Sequence, residues 1–342
     1  MSATLIYTEV EEELRAAVRS LLADHATTDS ILKRCESDQP YDLDLWRQLG
    51  EMGATTLHVP EELGGQGASV RETAVIMEEL GRSVAPVPFI GSAVLASSVF
   101  TFLGQPVPSE TATLVVPFSS WQPAFSSGAV RSVADASAAS VFVVPLSTSD
   151  GPELHLASSA TVSAVTSLDL TRPVADVTAF ESSAVLARGE DAINALRVAL
   201  LTGAGLLASE QVGLAERCLF DTVAYLKERH QFGRAVGSFQ ALKHRLADLY
   251  QELVTARAAA RYAADALSTG EDVEIAVAVA AAHCSDVAVH AAEEMVQLHG
   301  GIGMTWEHPA HLFLKRAKAD QLALGTPDRH RAALADLVDL RL

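Results

Sequence analysis

The sequence predicts an α+β fold that is mostly α-helical and is organised in three zones. Up to about residue 108, apolar residues recur at helical spacing. Residues 109–189 instead contain short apolar runs separated by Ser, Pro and Gly, a pattern typical of strands and turns. Long helical patterns return over residues 190–342. Because 342 residues exceed one ordinary hydrophobic core, we expect a helical domain over 1–108, a small β domain over 109–189 and a second helical domain over 190–342.

The N-terminal zone is predicted to contain several helices. Thr8 and Glu11 have the spacing of a capping box, which predicts a helix that begins after Thr8 and continues through Leu22. Apolar residues at helical spacing predict two further helices, over residues 43–53 and 70–80.

The second and third zones differ in the length of their apolar patterns. Leu114–Val116 and Val141–Val144 are short β-branched runs and predict strands. In the third zone the periodicity predicts long helices over about 191–228, 239–268 and 271–299, and a shorter helix after Pro309. The Ala-rich part of the 271–299 helix is too short to cross a membrane and has polar neighbours, so we expect a buried bundle helix there.

Composition and charge exclude several classes of function. The chain has 25 basic and 43 acidic residues, a net charge of −18, which argues against a general nucleic-acid or anionic-membrane binder. With 49% hydrophobic and 20% charged residues, disorder is not expected. Cys35, Cys218 and Cys284 are few and far apart, so neither a disulfide framework nor a metal site is predicted, and a reducing, cytoplasmic location is expected.

Two segments of the third zone combine an arginine, amide side chains and glycines. Residues 229–233 are Arg-His-Gln-Phe-Gly and are followed by Phe239-Gln240, and residues 297–303 are Gln-Leu-His-Gly-Gly-Ile-Gly. A guanidinium pairs with phosphate oxygens, and glycines allow backbone N–H groups to approach an anion, so the segments predict a grip on the phosphates of a dinucleotide. Taken singly, the glycine pair is equally explained as a helix stop, and the arginine as a solvated surface charge.

These segments resemble the signatures of the acyl-CoA dehydrogenase family. The N-terminal zone adds Pro60–Gly67 and Met77–Arg82, which are similar to the family's Pro-Glu-x-x-Gly-Gly-x-Gly loop and the helix end that follows it. The resemblance implies an N-terminal helical domain, a middle β domain and a C-terminal four-helix bundle that also makes the oligomer contacts. It further implies FAD as the cofactor, an acyl-CoA thioester desaturated between its α and β carbons as the substrate, and an electron-transfer flavoprotein as the electron acceptor.

The residues that would do the chemistry depart from the family pattern. The reaction removes a proton α to the thioester carbonyl, so a base is required. In most members this base is a glutamate before a Gly-Thr pair, and in one branch it lies on the first bundle helix. The resemblance places Leu324 at the first position and Gly203 at the second, and neither can accept a proton. The family's Thr-Glu-Pro loop beside the flavin ring is also missing, and Pro117–Trp121 occurs in that zone.

The pattern of retained and missing motifs resembles the shorter, altered subunits of actinobacterial heteromeric acyl-CoA dehydrogenases. In family dimers one chain supplies the ring-side domain and the base, while its neighbour holds the pyrophosphate and adenine end of the flavin. This chain retains the motifs that hold the pyrophosphate and adenine end, so its expected partner is a complete acyl-CoA dehydrogenase subunit, or a second copy of itself. The resemblance assigns cofactor contacts to Arg229, Phe232, Gln240, Gln297, Gly300, Gly301 and Thr326.

Two other carboxylates are weak candidates for a replacement base. Glu307 follows the glycine motif, and Glu210 lies on the first bundle helix, although Glu307 is explained as well by a solvated helix start. Asp320 is predicted to be a surface ion partner. The histidines are not expected to form a metal site, and His299 is expected to pack or hydrogen-bond within its turn.

Two functions from different classes follow. The first is a subunit of a flavin-dependent acyl-CoA dehydrogenase that acts on bulky thioesters such as sterol side chains. The second is a non-catalytic scaffold, in which the motifs only stabilise the bundle and an oligomer interface. A flavin oxidase or hydroxylase on the same fold is a third, more distant alternative.

Overall fold

The N-terminal zone is helical, as the sequence predicts. The computed structural model describes residues 5–340. The helices of this zone are α1 (Glu9–His25), α2 (Thr28–Cys35), α3 (Leu43–Glu51), α4 (Val70–Ser83) and α5 (Ser97–Phe102). The capping box at the start of α1 is present, because the side chains and backbone N–H groups of Thr8 and Glu11 bond reciprocally. Immediately before α5, the wider π-helix Phe89–Ala96 packs its apolar side chains into the core.

The middle zone forms a sheet with strands β1 (Ala112–Leu114), β2 (Val130–Ala134), β3 (Val141–Thr148), β4 (Gly151–Val165) and β5 (Val174–Arg188). The strand order is β1-β3-β4-β5-β2, with β1 parallel to β3 and the other pairs antiparallel. The predicted run Val141–Val144 lies within β3, whereas of Leu114–Val116 only Leu114 lies in a strand, at the end of β1. One face of the sheet has its own small apolar core, while the other packs toward the helices.

The third zone is a helical bundle built on three long helices. These are α6 (Gly189–Glu228), α7 (Gln240–Thr269) and α8 (Val273–His299), with the shorter α9 (Ala310–Leu322) and α10 (Pro327–Leu337) packed against α8. A short hairpin of β6 (His230–Gln231) and β7 (Arg234–Ala235) joins α6 to α7. The predicted helices and the buried Ala-rich segment are confirmed.

Helix α6 crosses α4 of the N-terminal zone at a very short distance. A Cβ on Gly213 would lie 1.8 Å from the carbonyl oxygen of Glu78, and a Cβ on Gly81 would lie 2.0 Å from that of Glu210. Glycine on both helices is therefore required for this crossing. The crossing fixes α6 against α4, and it buries Glu210 beside Gly81.

Two helical segments, Gly189–Glu228 and Val273–Met304, are long and apolar enough to span a membrane by length and composition alone. In both, 72% of the apolar window is buried within the protein. Their apolar character is thus accounted for by packing in the bundle. The cytoplasmic location remains a prediction.

Candidate active site

The Arg229 segment forms an exposed projection at the end of α6. Arg229 ends the helix, its N–H bonding to the carbonyl of Tyr225 at 2.9 Å, and its side chain is exposed. Phe232, at the tip of the following hairpin, has a φ of 53° and is 90% exposed. Its ring meets that of Phe239 edge-on at 6.1 Å. Within residues 5–340 Arg229 makes no ion pair, so its guanidinium is available to an anion from outside the chain.

The glycine pair lies at the end of α8. Gly300 has a φ of 64° and a ψ of −140°, a conformation that favours glycine. Gly301 has no positive φ, and a Cβ on either residue would meet no atom within 4 Å. The fold of this chain therefore explains the glycine at 300 but not the glycine at 301. A group that approaches the backbone from outside would explain it.

The ends of α6 and α8 are joined by an aromatic contact. The ring of His299 stacks on that of Tyr225 with centroids 4.3 Å apart, and Tyr225 donates a hydrogen bond to the carbonyl of His299 at 3.4 Å. His299 is buried, and its Nδ1 bonds to the carbonyl of Met295, which confirms its packing role. This contact brings the Arg229 segment and the glycine turn to the same end of the bundle.

Six of the seven predicted cofactor residues are exposed near these helix ends, namely Arg229, Phe232, Gln240, Gln297, Gly300 and Gly301. The structure does not bring Thr326 to them. Thr326 caps α10, accepting a hydrogen bond from the N–H of Arg329 at 3.4 Å, and it lies beside Leu324.

Gly203 and Leu324, the two positions that the sequence resemblance assigns to the base, meet at one point inside the protein. A Cβ on Gly203 would lie 3.0 Å from Leu324 Cδ1 and 2.6 Å from Leu95 Cδ2. Leu95 and Leu324 are 2% and 1% exposed. Leu324 N–H donates to the carbonyl of Phe118 at 2.8 Å, which joins the loop after β1 directly to the turn before α10. The point to which the sequence resemblance assigns the base is thus filled by hydrocarbon side chains.

A cavity of about 380 Å³ is lined in part by Leu324. Apolar side chains such as Leu200, Leu201 and Leu324 line it, and Glu274 and Asp336 are exposed at its edge. No feature of the sequence singled out Glu274, because an acidic residue in the first turn of a helix is ordinary.

Glu210 is inaccessible as a base. It is 1% exposed, and its oxygens accept hydrogen bonds from Arg172 at 2.6 Å and from Arg316 at 2.5 Å. Burial raises the pKa of Glu210, but the two guanidiniums outweigh it and the pKa lies below its usual value. Glu307 is exposed and precedes α9 near the glycine turn, away from Leu324.

The prediction that Asp320 is a surface residue is wrong. It is 1% exposed and accepts a hydrogen bond from Arg172 at 2.5 Å. Its neighbour in sequence, Lys318, does face the surface and pairs with Glu293. Asp320 lies instead one turn from Arg316, on the buried face of α9. The polar residues around Asp320 in the sequence do not indicate which face of the helix is buried.

The histidines of this region do not all converge on one point. The rings of His299 and His308 are in contact, with centroids 4.5 Å apart, whereas His330 lies on α10 with its Nε2 3.0 Å from the carbonyl oxygen of Leu324. Across residues 5–340, no three His, Cys, Asp or Glu side chains converge as metal ligands.

Comparison with known proteins gives the same family as the motifs. A sequence profile of the acyl-CoA dehydrogenase N-terminal domain matches residues 8–105, and that of the C-terminal domain matches residues 193–338. The chain is 36% identical over 322 residues to acyl-CoA dehydrogenase IpdE2 of Mycolicibacterium smegmatis, covering 93% of this chain and 96% of that protein. The chain belongs to the acyl-CoA dehydrogenase family.

Solved structures of this acyl-CoA dehydrogenase fold include heteromeric ones. A chain of the Tcur3481-Tcur3483 steroid ACAD G363A variant is 26% identical, with a TM-score of 0.84 over 97% of this chain and 98% of that chain. A chain of the ChsE4-ChsE5 complex from Mycobacterium tuberculosis is 24% identical, with a TM-score of 0.87 over 99% of this chain and 100% of that chain, which supports the fold.

Membership of the family confirms the fold class, the enzyme class and the cofactor. Acyl-CoA dehydrogenases are FAD-dependent oxidoreductases, and this chain has their N- and C-terminal domains. The domain boundaries at 108 and 189, and the roles of individual residues, remain predictions.

Proposed function

We propose that this chain is the trans subunit of a heteromeric acyl-CoA dehydrogenase that desaturates an acyl-CoA thioester. It would hold the pyrophosphate and adenine end of an FAD whose ring is bound by a partner chain. It would lack a catalytic base of its own. The observation that carries the proposal is the distance, along one helix, between the base positions and the phosphate-binding residues.

Gly203 and Arg229 are 26 residues apart on α6. At a rise of about 1.5 Å per residue, the separation is about 39 Å. An extended dinucleotide is shorter than this. One FAD therefore cannot contact both Arg229 and the Gly203–Leu324 point of the same chain, so the exposed Arg229 segment serves a cofactor held mainly by another chain.

The residues at the helix ends fit the phosphate end of FAD. Arg229 would pair with pyrophosphate oxygens, and the open backbone at Gly301 would allow an N–H to approach them. Gln240 and Gln297 offer amide groups, and Phe232 a ring that is not buried by its own chain. When bound, FAD would accept a hydride from the β carbon of the thioester.

The ring side of this chain does not fit the same chemistry. A general base needs a lone pair within hydrogen-bond reach of the α proton, and Gly203, Leu95 and Leu324 have none. The main-chain hydrogen bond from Leu324 to Phe118 joins the two segments that the family uses beside the ring and the thioester. We infer that the chemistry takes place in the partner.

The partner is proposed to be a complete acyl-CoA dehydrogenase subunit. The bundle exposes an apolar surface next to the Arg229 segment, with Phe220 44% and Tyr250 49% exposed around a cavity of about 400 Å³. Such a surface indicates a protein contact. Two structurally similar proteins, ChsE4-ChsE5 and Tcur3481-Tcur3483, are complexes, and the second is a steroid ACAD, so the proposed substrate is a bulky steroid-type thioester. Electrons would pass to an electron-transfer flavoprotein.

The test is to purify the chain alone and together with the product of the adjacent gene, and to measure FAD stoichiometry and bleaching by acyl-CoA thioesters. We expect flavin and thioester-dependent bleaching only in the complex. Flavin bound stoichiometrically and bleached in this chain alone would contradict the proposal.

The non-catalytic scaffold is the second candidate, because the closed Gly203–Leu324 point would suit a chain without turnover. A complex that forms with the partner but gains neither flavin nor activity from this chain would favour it. The glycine at 301 supports the cofactor role instead.

A further inference from the structure

Five buried charged residues join the β domain to the bundle. Asp169 and Arg172 lie in the loop between β4 and β5, Glu210 lies in α6, and Arg316 and Asp320 lie in α9. None is more than 8% exposed. Arg172 contacts Glu210 and Asp320, while Arg316 contacts Asp169 and Glu210. These five residues are called the charge cluster below.

The charge cluster contains three carboxyl groups and two guanidiniums. If every carboxyl group were ionised, the buried cluster would have a net charge of −1, which is unfavourable in a medium of low polarity. The remaining groups near Asp320 do not compensate. Ser285 on α8 and Gln211 on α6 are neutral, and burial lowers the pKa of His330 on α10. One additional proton would make the cluster neutral.

The hydrogen bonds indicate which carboxyl group holds this proton. Asp169 accepts from the N–H and hydroxyl of Thr171 at 2.8 and 2.6 Å, in addition to a guanidinium. Glu210 accepts from guanidiniums at both oxygens. Asp320 accepts from Arg172 at Oδ1 only, and its Oδ2 is buried without a hydrogen-bond partner in the protein. Asp320 therefore receives the fewest donors and is the site where a proton is most favourable.

Asp320 lines a small cavity with Ser285, Gln211, Gly325 and His330. The Oγ of Ser285 is also buried without a partner in the protein. The cavity measures about 10 Å³, and a single water needs on the order of 10–15 Å³ together with at least two polar partners. We call this space the Asp320 chamber.

We propose that Asp320 is a neutral carboxylic acid and that its O–H group donates a hydrogen bond to one water molecule, which it shares with Ser285 in the Asp320 chamber. The proton removes the excess charge from the cluster. The loop of the β domain can then pack against α6 and α9 without a net buried charge. This role is separate from FAD binding and from the partner chain.

The direction of the pKa agrees with this assignment. Burial is the largest cause that raises the pKa of Asp320, and Glu210 adds to it, whereas Arg172 and Arg316 lower it; the result is about 8. The value in the unfolded chain is about 3.9. Between these two pH values the folded state binds a proton that the unfolded state does not. Stability from this group is complete below about pH 4, and it decreases as the pH rises to about 8, by up to tenfold in the unfolding constant per pH unit.

The test is infrared spectroscopy of the complete chain, without flavin or partner, at pH 6.5 and pH 9.5. Asp135 and Glu78 are other buried carboxyl groups with raised pKa, so the readout is the difference between the wild type and Asp320→Asn. We expect the wild type to show one additional protonated-carboxyl band at pH 6.5 that is lost at pH 9.5. Asp336→Asn, an exposed control at the edge of the larger cavity, should retain the band. Identical bands in the wild type and Asp320→Asn would overturn the proposal.

A second variant keeps the test decisive if Asp320→Asn does not fold. Ser285→Ala keeps the acid and removes only the second partner of the water. We expect a shift of the carboxyl band without its loss. An unchanged band would contradict the shared water. Because neither measurement uses FAD, failure here is distinguishable from failure of the proposed function.

Discussion

Gly203 and Leu324 lie side by side although α7, α8 and α9 separate them in the sequence. Leu324 Cδ1 is 3.0 Å from the position of a Cβ on Gly203. The two positions that are predicted, by resemblance, to correspond to the base thus form a single point in space, and in this chain both are apolar. A larger side chain at position 203 would contact Leu324, and it would also contact Leu95.

Replacing Gly203 by Ala should destabilise the chain by about 1–3 kcal/mol, because the added methyl group meets Leu95 at 2.6 Å. In the Leu95→Ala background the same change should cost much less. Urea unfolding of the two single variants and the double variant gives the coupling energy. Costs that add within about 0.5 kcal/mol would show that the two side chains do not share the space.

Replacing Arg229 by Ala should weaken FAD retention by the partner complex by about 1.5–3 kcal/mol, on the order of ten- to a hundredfold. The guanidinium has no ion-pair partner among residues 5–340, so thermal unfolding of the free chain should change little. Flavin release is measured by fluorescence during dilution of the complex. Arg47→Ala, a surface arginine paired with Glu51, is the control and should retain flavin. Equal flavin retention in the two variants would show that Arg229 does not contact the cofactor.

Gly300→Ala and Gly301→Ala should separate backbone strain from cofactor contact. Gly300 has a positive φ, so alanine there should cost about 1–3 kcal/mol of stability. Gly301 has neither a positive φ nor a close neighbour, so alanine there should change stability by less than about 0.5 kcal/mol. The measurements are the Tm of the free chain and the flavin content of the complex. Full flavin content in the Gly301→Ala complex would contradict a contact between the backbone at Gly301 and the cofactor.

Removing Arg316 should be strongly destabilising. Arg316→Leu leaves Asp169 and Glu210 buried with one guanidinium fewer, and breaking a buried ion pair in this way costs about 3–5 kcal/mol. Arg331→Leu, which removes an exposed pair with Asp286, should cost less than about 1 kcal/mol. Denaturant unfolding of both variants is the measurement. Similar costs would mean that the charge cluster contributes no more than a surface pair.

The helices and the cofactor motif could be predicted from the sequence because their signals are local. The capping box at Thr8 and the helical spacing in α6 depend on residues only a few positions apart. The charge cluster could not be predicted, because Arg172 and Asp320 are separated by 148 residues. The sequence predicts a surface position for Asp320, which is buried, for the same reason. The polar residues next to it in the sequence predict a helix, but they do not predict which face of that helix packs against the protein core.

The sequence by itself determined the family and the order of helical and β zones, and it identified Arg229, Gly300 and Gly301 as candidate cofactor residues, since each depends on short-range patterns. Only the tertiary structure decided that Gly203 and Leu324 are one closed point, far along α6 from Arg229, and that Asp320 is buried. These facts depend on how the helices are rotated and packed against one another. Packing is set by contacts between distant residues, and no local pattern specifies them.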